Sequence, residues 1–180
     1  MSSEKDAFNF AELFPLKFPA HELPPLEFYT TRGGAQLSFR CYPTSVPCEV
    51  HLILLHGSAA HSAYLHAFAH YLSAQQVANV YTPDLRGHGP APERRGDIDY
   101  IDQLEHDVLD LMEHIKQQSS SRVQFILAGH SSGAGLALRI ASGEQAKDIQ
   151  QLILIAPYFG HNTAMVKKDA GGGPILIRLK

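Results

Sequence analysis

Cysteine is scarce in this chain: Cys41 and Cys48 are the only two among 180 residues. Two thiols cannot build the disulfide framework of a small secreted domain, so both are expected to be free. A strong excess of one charge is missing as well. The formal net charge is −3 and no cluster of Lys and Arg stands out, which leaves no electrostatic footprint for nucleic acid. No apolar run approaches the ~20 residues that span a bilayer, so no transmembrane segment is expected. The opening "MSSEKDAFNFAELFPLKF" lacks the basic stretch followed by an apolar one that marks a secretory signal. A cytoplasmic location is the resulting expectation.

What is present suits one globular domain. Hydrophobic residues make up 44% of the chain and charged residues 18%, a balance that permits a single buried core. Residues 1–28, with "LFPLKFPAHELPPLEF", read as an irregular lead, because proline offers no backbone N–H and resists regular structure. "LSFRCY" reads as an early strand, opened by a turn at Gly33 and Gly34.

From there strands and helices alternate. "VHLILL" is a continuous apolar strand of the kind buried on both faces of a parallel sheet. A helix follows from about His61, with Tyr64, Leu65, Phe68, Tyr71 and Leu72 at helical spacing. "VANVYT" is the next strand. "DYIDQLEHDVLDLMEHIKQ" is the clearest helix, striped by Ile101, Leu104, Val108, Leu111 and Ile115. The strand "RVQFILA", a helix over 132–142 and the strand "IQQLILI" complete the series. The pattern predicts an α/β fold, a mostly parallel sheet with helices on both faces. Ligands of such sheets sit beyond the carboxyl ends of the strands. That rule directs attention to His56-Gly57-Ser58, Asp84-Leu85-Arg86, Gly129-His130-Ser131 and Tyr158-Phe159.

The small-residue knot "GHSSG" admits three readings. Gly129, His130, Ser131, Ser132 and Gly133 match Gly-x-Ser-x-Gly, a sharp turn that lifts a serine hydroxyl clear of the sheet. Gly129, Gly133 and Gly135 also give a Gly-x-x-x-Gly-x-Gly pattern similar to that of short-chain dehydrogenases. Such a fingerprint should open the first βαβ unit, and the Tyr-x-x-x-Lys pair is absent, since Asn162 stands four places after Tyr158. A purely structural bend is the third reading. In an acyl-transfer site, the backbone N–H groups of Ser132, after the nucleophile, and Ser58, after the earlier strand, would hold the oxyanion.

Three motifs in order, "HGSAAHS", "DLRGHG" and "GHSSG", resemble the amino-terminal half of an α/β-hydrolase over about Tyr29 to Gly160. They are most similar to the branch of monoacylglycerol lipases, lysophospholipases and serine aminopeptidases. The resemblance implies an α/β-hydrolase fold with Ser131 as nucleophile, no cofactor, and a small-molecule ester substrate of acylglycerol or other lipid-like type. It assigns 29–160 to a partial hydrolase core, and 161–180 to the start of a lid region or a tail.

A triad in this fold runs Ser, then Asp or Glu, then His. After Ser131 the acids are Glu144, Asp148 and Asp169, and the histidine is His161. The helix leaving Ser131 rises ~1.5 Å per residue, which carries Glu144 about 18 Å away, and Asp148 begins the next strand at that far end. His161 follows a neighbouring strand on the correct edge, yet no acid precedes it within reach. The expectation is a hydrolase truncated after its sixth strand, its tail "PILIRLK" unpartnered. The alternative is an inactive hydrolase or a binding module that keeps the fold. The 11 histidines suggest no metal site: His66 and His70 share a helix face, but "HAFAH" lacks the zincin glutamate. His56, His88 and His130 are read as orienting or packing residues, and Asp84 and Arg86 as loop-fixing ones.

Overall fold

Val50–Leu55 is the strand around which the sheet is laid, buried along nearly its whole length in the computed structural model. The structure describes residues 23–90, 92–119, 122–159 and 175–178. Ahead of this strand, β3, come β1 (Glu27–Thr30) and β2 (Gln36–Tyr42). The turn between them places Gly34 at a φ of 83°, with its N–H donating to the Thr31 carbonyl at 2.8 Å. A short 3-10 turn (Ser62–Leu65) leads into α1 (His66–Ala74) and then β4 (Asn79–Pro83). The helix α2 (Gln103–Gln118), β5 (Gln124–His130), α3 (Ser132–Ala141) and β6 (Ile149–Ile155) follow, and β7 (Ile175–Arg178) comes last.

The strand order is β1-β2-β4-β3-β5-β6-β7. Strands β4, β3, β5 and β6 are parallel, as the crossover helices require. At one margin β1 and β2 run antiparallel to their neighbours, and at the other β7 does. The chain winds from β3 outward to β4, then returns to lay β5 on the opposite side of β3. The switch point between β3 and β5 is where such a fold opens a crevice.

Both faces of the sheet are covered. Ile53 and Leu55 point into a core formed with Val108, Leu111, Met112 and Ile115 of α2 and Ala134, Ala137 and Ile140 of α3. Leu52 and Leu54 face the other way, onto Leu65, Ala69 and Val80. Fully burying such a side chain contributes about 1.5–3 kcal/mol relative to leaving it exposed.

Four expectations need correction. Ile101 lies outside the α2 stripe and is 78% exposed, because Asp102 takes a left-handed φ of 74° and the helix starts only at Gln103. In α1 the buried face is Ala69 and Ser73, while Phe68 and Tyr71 project outward. Glu27 and Phe28, assigned to the irregular lead, belong to β1. The sheet also does not stop at its sixth strand. The tail pairs antiparallel with β6, from Leu154 opposite Ile175 to Gln151 opposite Arg178. A strand edge presents unpaired N–H and C=O groups, and a short apolar segment can satisfy them from either direction. Residues 1–22 of the lead and the remainder of 161–180, with His161 and Asp169, lie outside the described residues. Cys41 and Cys48 are free thiols, and burial pushes the Cys41 thiol up to about 11.

Candidate active site

Ser131 stands between β5 and α3 with φ 55° and ψ −120°. A serine at positive φ carries strain on the order of 1–3 kcal/mol and persists only where its surroundings over-determine it. Here β6 does so. The Ser131 N–H donates to the Ile155 carbonyl at 3.0 Å, and its carbonyl accepts from the Tyr158 N–H at 3.0 Å. Ala156, at φ 43°, turns the chain between those two contacts.

The glycines around the serine allow backbones to touch. A Cβ on Gly129 would lie 2.2 Å from the Gly133 carbonyl oxygen, and one on Gly133 would lie 2.4 Å from that of His56. A Cβ on Gly135 would meet the Tyr158 carbonyl oxygen at 2.8 Å. These glycines therefore face protein backbone rather than lining an open cradle, which is what the dinucleotide reading needs. The same closeness joins the two loops: β3 and β5 pair in register, Leu55 opposite Gly129. A Cβ on Gly57 would sit 3.6 Å from the Ser131 hydroxyl oxygen.

The loop after β3 is fixed from beneath by His56, which is fully buried. Its Nδ1–H donates to the Gly57 carbonyl at 2.8 Å, and its Nε2 accepts from the Leu85 N–H at 3.1 Å. That pair of partners assigns the neutral Nδ1–H tautomer. Burial, the largest cause, pushes the imidazole pKa down to about 4, in keeping with a neutral ring. Asp84, also buried, accepts from the Ser62 N–H at 2.6 Å and the Ser38 hydroxyl at 2.7 Å, tying the 3-10 turn to β2. Gly89, at φ 82°, lies against the Asp84 carboxylate, where a Cβ would approach to 2.8 Å.

Arg86 anchors the loop after β4 to α2. Its guanidinium donates to both Asp107 carboxylate oxygens at 2.8 Å, and this hydrogen bonding holds the arginine above its ordinary pKa. Asp84 and Arg86 are thus structural ties, as their sequence context suggests. Removing one partner of a buried pair leaves the other charge unmatched. Asp107→Ala is therefore expected to cost about 3 kcal/mol, read as a lowered urea midpoint at unchanged m-value. An unchanged midpoint would overturn this.

The sequence-predicted residues Ser131, Ser132, Ser58, Gly129, His130 and Gly133 converge at the carboxyl ends of β3 and β5. Ser58 and Ser132 meet directly, their hydroxyl oxygens 3.0 Å apart. His130 is half-buried with its ring 6.1 Å from that of Tyr64, and burial lowers its pKa. His88 has its Nδ1 3.0 Å from the Arg86 carbonyl oxygen. Asp148 lies at the opposite edge, where it pairs with Lys116 at 2.6 Å. Among the described residues no helix is long and apolar enough to cross a membrane.

This arrangement agrees with a comparison of sequences: the family model of serine aminopeptidases, S33, matches residues 47–175. The chain belongs to the serine aminopeptidase S33 family. No curated protein is matched. Among solved structures, this S33 family member is similar to a soluble variant of monoglyceride lipase from Saccharomyces cerevisiae, with 23% identity and a TM-score of 0.63. That alignment covers 79% of this chain and 47% of the lipase. A Pyrococcus furiosus esterase follows at 22% identity and a TM-score of 0.59, covering 70% and 47%. A thermostable carboxyl esterase from Bacillus coagulans gives 18% and 0.61, covering 73% and 43%. The fold is thus that of the α/β-hydrolases, and the chain spans less than half the length of these three structures.

Two features of the candidate site in this S33 family member are not legible in the sequence. Gly57 lies against the Ser131 side chain across the loops, and its only signal is a glycine directly after a buried His. Tyr158 falls at the sheet edge that the strand pattern indicates, but its hydrogen bond to the elbow has no sequence signature.

Proposed function

We propose that this protein is a serine hydrolase acting on carboxylic esters. Ser131 Oγ attacks the ester carbonyl carbon, the alcohol leaves, and water then releases the acid from the acyl-enzyme. The N–H groups of Ser58 and Ser132 receive the oxyanion. As the first residue of α3, Ser132 carries one of the amides that a helix start leaves without an internal acceptor. The positive end of the helix adds to that stabilisation. The observation that carries the reading is the strained conformation of Ser131, held at the carboxyl ends of β3 and β5. The expected substrates are acylglycerols or other lipid-like esters, in line with the monoglyceride lipase and esterases of the same fold.

A second reading, a fold retained for binding without turnover, is favoured by one histidine and one acid among the described residues. His56 has both ring nitrogens engaged away from Ser131. Asp148 is committed to Lys116. A fluorophosphonate probe with peptide mass spectrometry separates the two. The hydrolase reading expects labelling at Ser131, lost in Ser131→Ala. A folded protein that stays unlabelled would leave only the binding reading.

A further inference from the structure

The geometry points to a hydroxyl clasp: Ser58 and Ser132 act through their side chains as positioning residues that hold the two oxyanion amides at a fixed separation. This rests on the proposed hydrolase function and adds a role beyond the backbone one.

The two residues lie 74 positions apart in the chain, one following β3 and the other opening α3, yet their hydroxyl oxygens are 3.0 Å apart. Each hydroxyl belongs to a residue whose own N–H is a proposed oxyanion donor. A bond between the side chains therefore constrains the distance between the amides. The Gly57–Ser58 peptide is restrained at its other end too. In a trans peptide the C=O and N–H point in opposite directions. The His56 Nδ1–H, bonded to the Gly57 carbonyl at 2.8 Å, therefore sets the direction of the Ser58 N–H. His56 fixes the orientation of that amide, and the clasp fixes its distance from Ser132. With no Cβ at Gly57, the loop can lie close against His130 and Ser131, next to Ser132, so that the hydroxyls meet. A hydroxyl donates one hydrogen and accepts at its lone pairs, so one serine can donate to the other and still accept from water or substrate. Preorganisation of this kind matters for a site whose donors must aim at where charge develops.

The test uses the second-order rate of fluorophosphonate labelling at Ser131 in the full chain. Ser58→Ala and Ser132→Ala should each slow labelling about three- to tenfold, the double variant should be no slower than either single one, and Ser58→Thr should restore the rate. Losses that multiply in the double variant, or single variants as fast as the parent, would overturn the clasp. Amide hydrogen exchange provides a readout that needs no reaction at Ser131. Ser132→Ala should speed exchange at the Ser58 amide, and Ser58→Ala at the Ser132 amide, with distant β3 amides unchanged. If neither amide responds, the clasp is wrong whatever the labelling shows. If the parent protein does not label at all while these amides respond, the hydrolase reading fails and the clasp stands as a structural tie.

Discussion

Gly133→Ala is expected to destabilise the protein by about 3 kcal/mol, a large fraction of the roughly 5–15 kcal/mol that keeps a domain folded. A methyl group at this position would lie 2.4 Å from the His56 carbonyl oxygen and 2.7 Å from that of Leu55. Both are backbone atoms of the central strand and its exit, so neither can rotate aside. Relief requires α3 to back away from β3, which opens the core around Ala134 and Ala137. Gly129→Ala should behave similarly, since its methyl would meet the Gly133 carbonyl oxygen at 2.2 Å. Gly143→Ala is the control: its φ is −82° and its nearest contact is an ordinary 3.4 Å. It should lie within about 0.5 kcal/mol of the parent. Urea titration followed by circular dichroism reads all three. A Gly133→Ala midpoint equal to that of Gly143→Ala would refute the close-approach account.

Acid should destabilise the protein well before its carboxylates titrate. His56 is fully buried and neutral, with a pKa near 4 against an ordinary value of about 6.5. Below pH 6.5 the unfolded chain takes up this proton while the folded chain refuses it. Stability is therefore complete above about pH 6.5, falls as the pH drops, and levels off below about pH 4. The accumulated loss from this residue is about 3 kcal/mol. Burial shifts His51 and His130 in the same direction, so they add to the slope. In His56→Gln no proton binds at this site, and unfolding free energy plotted against pH should be visibly flatter between 6.5 and 4. The variant should also be less stable at neutral pH, because two buried hydrogen bonds are disturbed. Parallel curves for the parent and variant would show that the imidazole is not the group responsible.

Much of the fold is legible along the chain because its signals are local. The apolar run at Val50–Leu55, the turn residues after each strand and the small residues around Ser131 each declare themselves within a few positions. Parallel pairing then follows from the alternation of strands with helices. What escapes local reading depends on partners far along the chain. The strain at Ser131 is held by Ile155 and Tyr158, and the Ser58–Ser132 bond spans two loops that have no pattern in common. Ile101 fits the helical period and still lies outside the helix, because periodicity does not register the left-handed turn at Asp102. The pairing of β7 with β6 is missed for a related reason: an apolar tetrapeptide carries no sign of which edge it will complete.

The attachment of Ser131 to β6 also bears on how the elbow comes apart. Its contacts to the Ile155 carbonyl and the Tyr158 N–H come from the end of β6 and the loop after it, so an isolated β5–α3 unit keeps only the bonds from the Ala134 and Gly135 N–H groups to the Ser131 carbonyl. Opening confined to the outer margin of the sheet would let the serine relax to an ordinary turn while the core positions Ile53 and Leu55 on β3 remained packed. If Ser131 is the nucleophile proposed above, its rate of labelling would therefore report on the integrity of a strand to which it does not belong.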